Sequence, residues 1–191
     1  MALFNNPKQK ITFVNISRGK LYVKEKDKEP EYFTELSGYI TKVEFRIDEY
    51  NGKTFEVAEF HLIDDNERYV LKLRTDSGYF RGLSNSIKSG NPKDKFSIIP
   101  SSKEENGKTK TTCFVKQNGY SLKHAHTIGN MGDLPQVEKI IFKGQEVWDS
   151  SKQLDYWKKY LTSENWHVPT YKFEKQPEPE IIPEQDDDLP F

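Results

Sequence analysis

The chain has 191 residues, a length that suits one domain with appendages. It contains no run of roughly eighteen apolar residues, so a membrane span is not expected. Its first ten residues are polar, carry Pro7 and lack the apolar stretch of a signal peptide, which predicts a cytoplasmic protein. Cys113 is the single cysteine, which excludes an internal disulfide framework and a multi-cysteine zinc site. Apolar residues make up only 34% of the chain while aromatics reach 13%, a balance that predicts a small β-rich core with rings left over for surfaces. The net charge of −1 hides an asymmetry. Residues 171–191 hold seven acids against Lys172 and Lys175, a charge of −5, which leaves +4 for residues 1–170. A basic body with an acidic tail points toward nucleic acid, although the body is less basic than most duplex readers.

In chain order, turn signals at Arg18-Gly19, Asn51-Gly52, Asp64-Asp65-Asn66, Asn106-Gly107 and Asn118-Gly119 separate stretches rich in Val, Ile, Phe, Tyr and Thr. Asn-Gly between two such stretches is a strong hairpin signal, because both residues tolerate positive φ. Strands are predicted near 11–17, 20–25, 36–48, 53–63, 68–74, 95–100, 110–117 and 120–125. In the third of these, Tyr39, Thr41, Val43, Phe45 and Ile47 alternate with Lys42, Glu44 and Arg46, so the first set is expected to face inward. The next begins with Phe55 and Val57 inward, then changes phase to Ala58, Phe60 and Leu62, which predicts a β-bulge near Val57–Ala58. Tyr69, Leu71 and Leu73 should face inward, with Arg68, Lys72 and Arg74 outward. Asp76-Ser77 caps a predicted helix with an apolar stripe at Tyr79, Leu83 and Ile87, closed by Gly90 and Pro92. A hairpin is expected around Lys143-Gly144. A helix starting at Asp149-Ser150-Ser151 should lay Leu154, Trp157 and Leu161 back on the body, with self-association as the alternative.

The expected fold is therefore mainly β. Setting the first hairpin aside, a long strand is followed by two more, a short helix and further strands. That order describes an OB-fold-like β-barrel with a short helix between strands 3 and 4. To it are added an N-terminal hairpin, a C-terminal helix and a tail. Two domains are expected: 1–170 as the folded body, and 171–191 as a disordered acidic tail too rich in Pro and Glu to bury a core.

A surface that holds single strands without reading sequence needs cations along the phosphates and exposed rings under the bases, each ring contributing roughly 1–3 kcal/mol. The cations expected on one wall are Lys42, Arg46, Arg68, Lys72 and Arg74. Stacking candidates are Tyr50 beside the Asn51-Gly52 turn, and Phe114 and Tyr120 flanking Asn118-Gly119, with Lys116 next to Phe114. Trp148, Trp157 and Trp166 are expected to pack around the C-terminal helix. No Walker loop, nucleophile elbow or Gly-rich dinucleotide turn occurs, so an enzyme is not expected. His124 and His126 would share one face of a strand but lack a third ligand at suitable spacing, so no metal and no cofactor are expected.

The last six residues are Asp186, Asp187, Asp188, Leu189, Pro190 and Phe191. A terminal aromatic on an acidic tether is suited to insert into an apolar pocket, its carboxylate meeting a basic rim while the aspartates steer the approach. This tip resembles the acidic C-terminus of bacterial and phage single-stranded DNA-binding proteins, which ends in an Asp-Asp-Asp-Ile-Pro-Phe type sequence, with Leu189 here in place of Ile. The resemblance implies that Asp186, Asp187, Asp188, Leu189, Pro190 and Phe191 bind replication, recombination and repair proteins, with Phe191 as anchor. It assigns no individual stacking ring and no particular oligomeric state; a homo-oligomer is compatible with it. A phage-encoded version, acting in the host cytoplasm, would fit the added hairpin and the 137–163 region. The function expected is coating and protection of single-stranded DNA. The alternative is an OB-like adaptor that docks proteins without strong DNA affinity.

Overall fold

The computed structural model describes residues 10–65 and 67–166. The tail at 171–191 with its six-residue tip, and Asn66 of the Asp64-Asp65-Asn66 turn, lie outside the described residues. In chain order the elements are β1 (Ile11–Ser17), β2 (Lys20–Val23), β3 (Glu31–Phe33), β4 (Leu36–Tyr50), β5 (Lys53–Asp64), β6 (Glu67–Arg74), α1 (Gly78–Ile87), β7 (Phe96–Glu105), β8 (Lys108–Gln117), β9 (Tyr120–Ser121), β10 (Glu138–Phe142), β11 (Gln145–Asp149) and α2 (Ser151–Ser163). The protein is mainly β, as its aromatic and β-branched content predicts. Among the described residues no helix is long and apolar enough to cross a membrane.

The turns form where the sequence places them. Asn51 and Gly52 adopt φ of 51° and 69°, and Asn118 and Gly119 follow the same pattern at 53° and 82°. Two consecutive left-handed residues twist the chain in the sense that matches the flanking strands. Nine strands form one sheet in the order β3-β2-β1-β6-β5-β4-β7-β8-β9, while among the described residues β10 and β11 pair only with each other.

The expected closed barrel is not formed by these strands. The edge of β6 away from β5 is taken by β1, which pairs with it in parallel from Ile11↔Arg68 to Val14↔Leu71. On the other side, β8 pairs with the two-residue β9. The N-terminal hairpin is therefore an integral part of the sheet. The sheet curls, however, until the β1–β2 turn meets β7: a Cβ on Gly19 would lie 2.7 Å from the Ser102 nitrogen. The Gly19 N–H also donates to the Tyr79 hydroxyl of α1 at 2.8 Å. A left-handed φ of 76° and this close approach both require glycine there.

The long strand β4 departs from the expected phase. Leu36, Gly38 and Ile40 are buried, then Val43, with Phe45 packed on the same core. The register with β5 shifts between Ile40 and Lys42. Thr41 is the extra residue, and its hydroxyl donates to the His61 carbonyl at 3.2 Å. Tyr39 consequently sits opposite Ile63 on the outer side of the sheet. The bulge expected at Val57–Ala58 does not occur, because β5 runs in unbroken register from Lys53 to Phe60. Ala58, Phe60 and Leu62 point inward, while Phe55 and Val57 belong to the outer face.

The interior is filled by Ile40, Phe60, Leu62 and Leu71 from the sheet, and by Phe96, Ile98, Cys113 and Val115 from β7 and β8. α1 closes it with Phe80, Leu83 and Ile87. Its N-terminus is capped as expected, the Phe80 N–H donating to Ser77 Oγ at 3.1 Å. Burial pushes the Cys113 thiol up to about 12, in keeping with a small apolar residue in a strand. α2 lays Trp157 and Leu161 into the same core, with Leu154 and Trp166 against it, so it docks on the body. Trp148 does not join them; it stands exposed on β11.

Candidate nucleic-acid interface

Register determines which side chains share the outer face. Across β4, β5 and β6 the opposed residues are Lys42, His61 and Val70, then Glu44, Glu59 and Lys72, then Arg46, Val57 and Arg74. The row before them holds Tyr39, Ile63 and Arg68, and the row after them Asp48 and Phe55. Tyr50 faces Lys53 at the end of the hairpin. β1 extends the surface by setting Phe13 beside Val70 and Ile11 beside Arg68. The five cations Lys42, Arg46, Arg68, Lys72 and Arg74 therefore do share one wall, as their alternation predicts.

Most of these cations are paired. Lys42 Nζ lies 2.6 Å from Glu44, and the ammonium beside it holds the Glu44 carboxyl below the usual carboxylate range. Glu59 is 7% exposed and gathers Arg46 at 2.9 Å and Lys72 at 3.4 Å on one carboxylate oxygen. Arg46 also meets Asp48 at 3.1 Å, and Arg74 grips Asp76 in a two-pronged contact at 3.0 and 2.5 Å. Arg68, Lys53 and Lys116 have no carboxylate partner among the described residues. Exposed pairs of this kind are weak, about 0–1 kcal/mol, so exchanging a carboxylate for a phosphate costs little. Glu59 differs, because its burial fixes the position of the oxygen that Arg46 and Lys72 share.

Rings stand among the cations. Lys72 Nζ sits 4.7 Å from the centre of the half-exposed Phe13 ring, and the Arg74 guanidinium 5.1 Å from that of Phe55. A cleft of about 570 Å³ opens between the N-terminal hairpin and the β4–β5 hairpin. Tyr22, Tyr50, Phe55 and Tyr79 line it with Lys72 and Arg74, and Asp48 and Glu49 lie on the same lining. Tyr50 is 69% exposed.

The remaining candidates divide. Lys116 opposes Ser97, which opposes Ser37, so Lys116 and its alternate neighbour Phe114 lie on this outer side of the sheet, beyond β7. Phe114 is 56% exposed there. Tyr120 is exposed too, but it pairs with the buried Gln117 and so belongs to the opposite side of the sheet. Sequence reasoning missed Phe13, Tyr22 and Phe55. Phe13 alternates with the buried Val14, which was the available sign; the partnership of β1 with β6 had none.

Glu44, Glu59 and His61 also meet here, with potential ligand atoms within 4.8 Å of one another. Lys42, Arg46 and Lys72 already balance the two carboxylates, which makes this cluster a poor cation site. His124 and His126 do not share a strand face, since β9 ends at Ser121. His126 is buried; its N–H donates to Asn85 Oδ1 and its carbonyl accepts from Asn85 Nδ2, both at 2.8 Å. Comparison with protein-family models, with characterised proteins and with solved structures finds no match to this chain.

Proposed function

We propose that the chain binds single-stranded DNA on the outer face of β1, β6, β5 and β4, coats and protects it, and recruits replication, recombination and repair proteins through Asp186–Phe191. The carrying observation is the interleaving of rings with cations on one face: half-exposed Phe13 against Lys72, half-buried Phe55 against Arg74, and exposed Tyr50 in the cleft that Lys72 and Arg74 also line. Phosphates track cations and bases stack on rings without sequence readout, and the cleft that contains Tyr50 and Phe55 is open enough for a flexible strand. β4, β5 and β6, then α1, then β7 and β8 in a curled open sheet support an OB-like reading, a fold whose outer strands serve oligonucleotides. The tip's role rests on its resemblance to the single-stranded DNA-binding family.

The reading is tested by fluorescence anisotropy of labelled oligo-dT at two salt concentrations, with duplex as competitor. Tight binding that duplex does not displace, and whose logarithm falls with log salt by about 0.7 per phosphate neutralised, is the expected outcome. An absence of binding at low salt, with the tail deleted as well, would overturn it. That outcome would favour the second reading, a protein-docking adaptor. The ion pairing of Lys42, Arg46, Lys72 and Arg74 supports this alternative.

A further inference from the structure

A second cleft is rimmed mainly by carboxylates. It encloses about 420 Å³ between the β1–β3 end of the sheet and the start of β4. Its floor is apolar: Val14, Leu21 and Leu36 are buried, and Phe33 is 44% exposed at its side. Carboxylates surround that floor, with Glu31 on β3, Glu35 before β4, Asp64 and Glu67 across from them, and Glu25 near Lys10. Among the described residues Lys10 is the one basic residue on the lining.

The carboxylates are not equally engaged. Lys10 and Lys28 bracket Glu25 at 2.7 and 2.6 Å and hold it near 2, Lys95 meets Asp64 at 2.5 Å, and Glu67 accepts from the Tyr69 hydroxyl. Glu31 has no ion pair among the described residues, and Glu35 takes only a 3.3 Å hydrogen bond from Ser37. Glu31 and Phe33 oppose Val23 and Leu21, so both face the cleft, while Tyr32 turns away toward Tyr22. β3 is also the terminal strand of the sheet, paired on one side alone among the described residues.

A free strand edge, an apolar recess and unpaired carboxylates next to it suit one kind of partner. We propose that this cleft binds an extended segment of another protein in which Lys or Arg stands two residues from a large aliphatic or aromatic side chain, added as a strand along β3. Backbone hydrogen bonds to the edge would supply affinity, an apolar side chain in the recess would fix the register, and flanking cations would meet Glu31 and Glu35. This proposal does not rest on the DNA-binding reading, because the cleft and the basic outer face share no cation or ring used in that reading.

The test uses the full chain and a fluorescein-labelled peptide, acetyl-Lys-Thr-Leu-Thr-Lys-Thr-Phe-Thr-Lys-amide, with a second peptide in which Ser replaces Leu and Phe. Saturable binding of the first peptide is expected, weakened roughly tenfold or more by Glu31→Lys with Glu35→Lys, and separately by Phe33→Ser. The two variants act at exposed positions, and retention of the wild-type melting transition shows that they fold. Equal binding by wild type and both variants would assign the peptide to the acidic residues 171–191 and overturn the proposal. Equal binding of the Ser peptide, or none at about 1 mM, would overturn it as well. So would a tenfold tightening on deletion of residues 2–9, which would make the chain's own N-terminal segment the occupant.

Discussion

The β4–β5 and β10–β11 hairpins are built from the same local rules and have different fates. Both turn through two left-handed residues, Asn51-Gly52 in one and Lys143-Gly144 in the other. Both pair in unbroken register next to the turn. In β5, however, Ala58 and Phe60 are completely buried, because β6, β7 and α1 enclose the inner face. In β10 and β11, Ile141, Phe142 and Trp148 remain exposed, and among the described residues neither strand pairs outside the hairpin. Turn chemistry and alternation decide that a hairpin forms; position in the sheet decides whether it carries the fold's stability.

The largest effect expected to separate them is Phe60→Ala, which should lower unfolding free energy by about 3–5 kcal/mol in a denaturant titration. A loss no greater than that of an exposed substitution would break the comparison. A second effect acts through the helix that covers the embedded hairpin. Phe80 of α1 meets Phe45 and Phe60 edge-on or tilted, with ring centres 6.1 and 6.5 Å apart. Gly82 presses that helix on β8: a Cβ there would lie 2.9 Å from the Cys113 nitrogen and closer still to Thr112 Oγ1. Gly82→Ala should therefore cost about 1–3 kcal/mol by overpacking, against the gain of up to about 1 that Ala brings to an open helix. A stabilised variant would show that α1 has room to move.

On the outer side, Phe13→Ala should weaken oligo-dT binding by about 1–3 kcal/mol while leaving the number of phosphates in the salt slope unchanged. A lower slope with unchanged affinity at low salt would mean that the ring matters only as a perch for Lys72. The smallest effect belongs to the isolated hairpin. Phe142→Ser should change stability by no more than about 0.5 kcal/mol, as surface substitutions do. A cost comparable with that of Phe60→Ala would mean that something covers β10 in solution.

Much of this architecture is legible in the residues. The Asn-Gly turns, the Ser77 cap, the apolar stripe of α1 and the docking of Trp157 follow from short-range chemistry. Three features do not. β3 is three residues long, follows the charged stretch at 24–29 and has no period to read. The register irregularity falls at Thr41, inside an alternation of Tyr39, Thr41, Val43, Phe45 and Ile47 that looks faultless. Val57–Ala58 mimics a phase change because Val57 is buried on the outer side of the sheet. The extension of the sheet is equally invisible, since nothing within β1 announces that its partner is β6. Of the candidate interface, the cations were readable from alternation alone, whereas Phe13, Tyr22 and Phe55 became candidates only when the hairpins were set side by side.

The extra residue at Thr41 gives β4 two halves of opposite parity. Residues 36–40 join β5 to β7, and residues 42–50 carry the basic face. Chain length should be tolerant at turn tips such as 51–52 and 106–107, where a residue gained or lost disturbs only the loop. Deleting Thr41 would keep Ile40 opposite Leu62 and Lys42 opposite His61, so it should only smooth the strand, whereas a residue lost or gained within 36–40 or 42–50 would turn part of β4 inside out. For deletion, Thr41 thus behaves like a turn tip set inside a strand, and related chains should be able to lack it while keeping the faces of β4 unchanged.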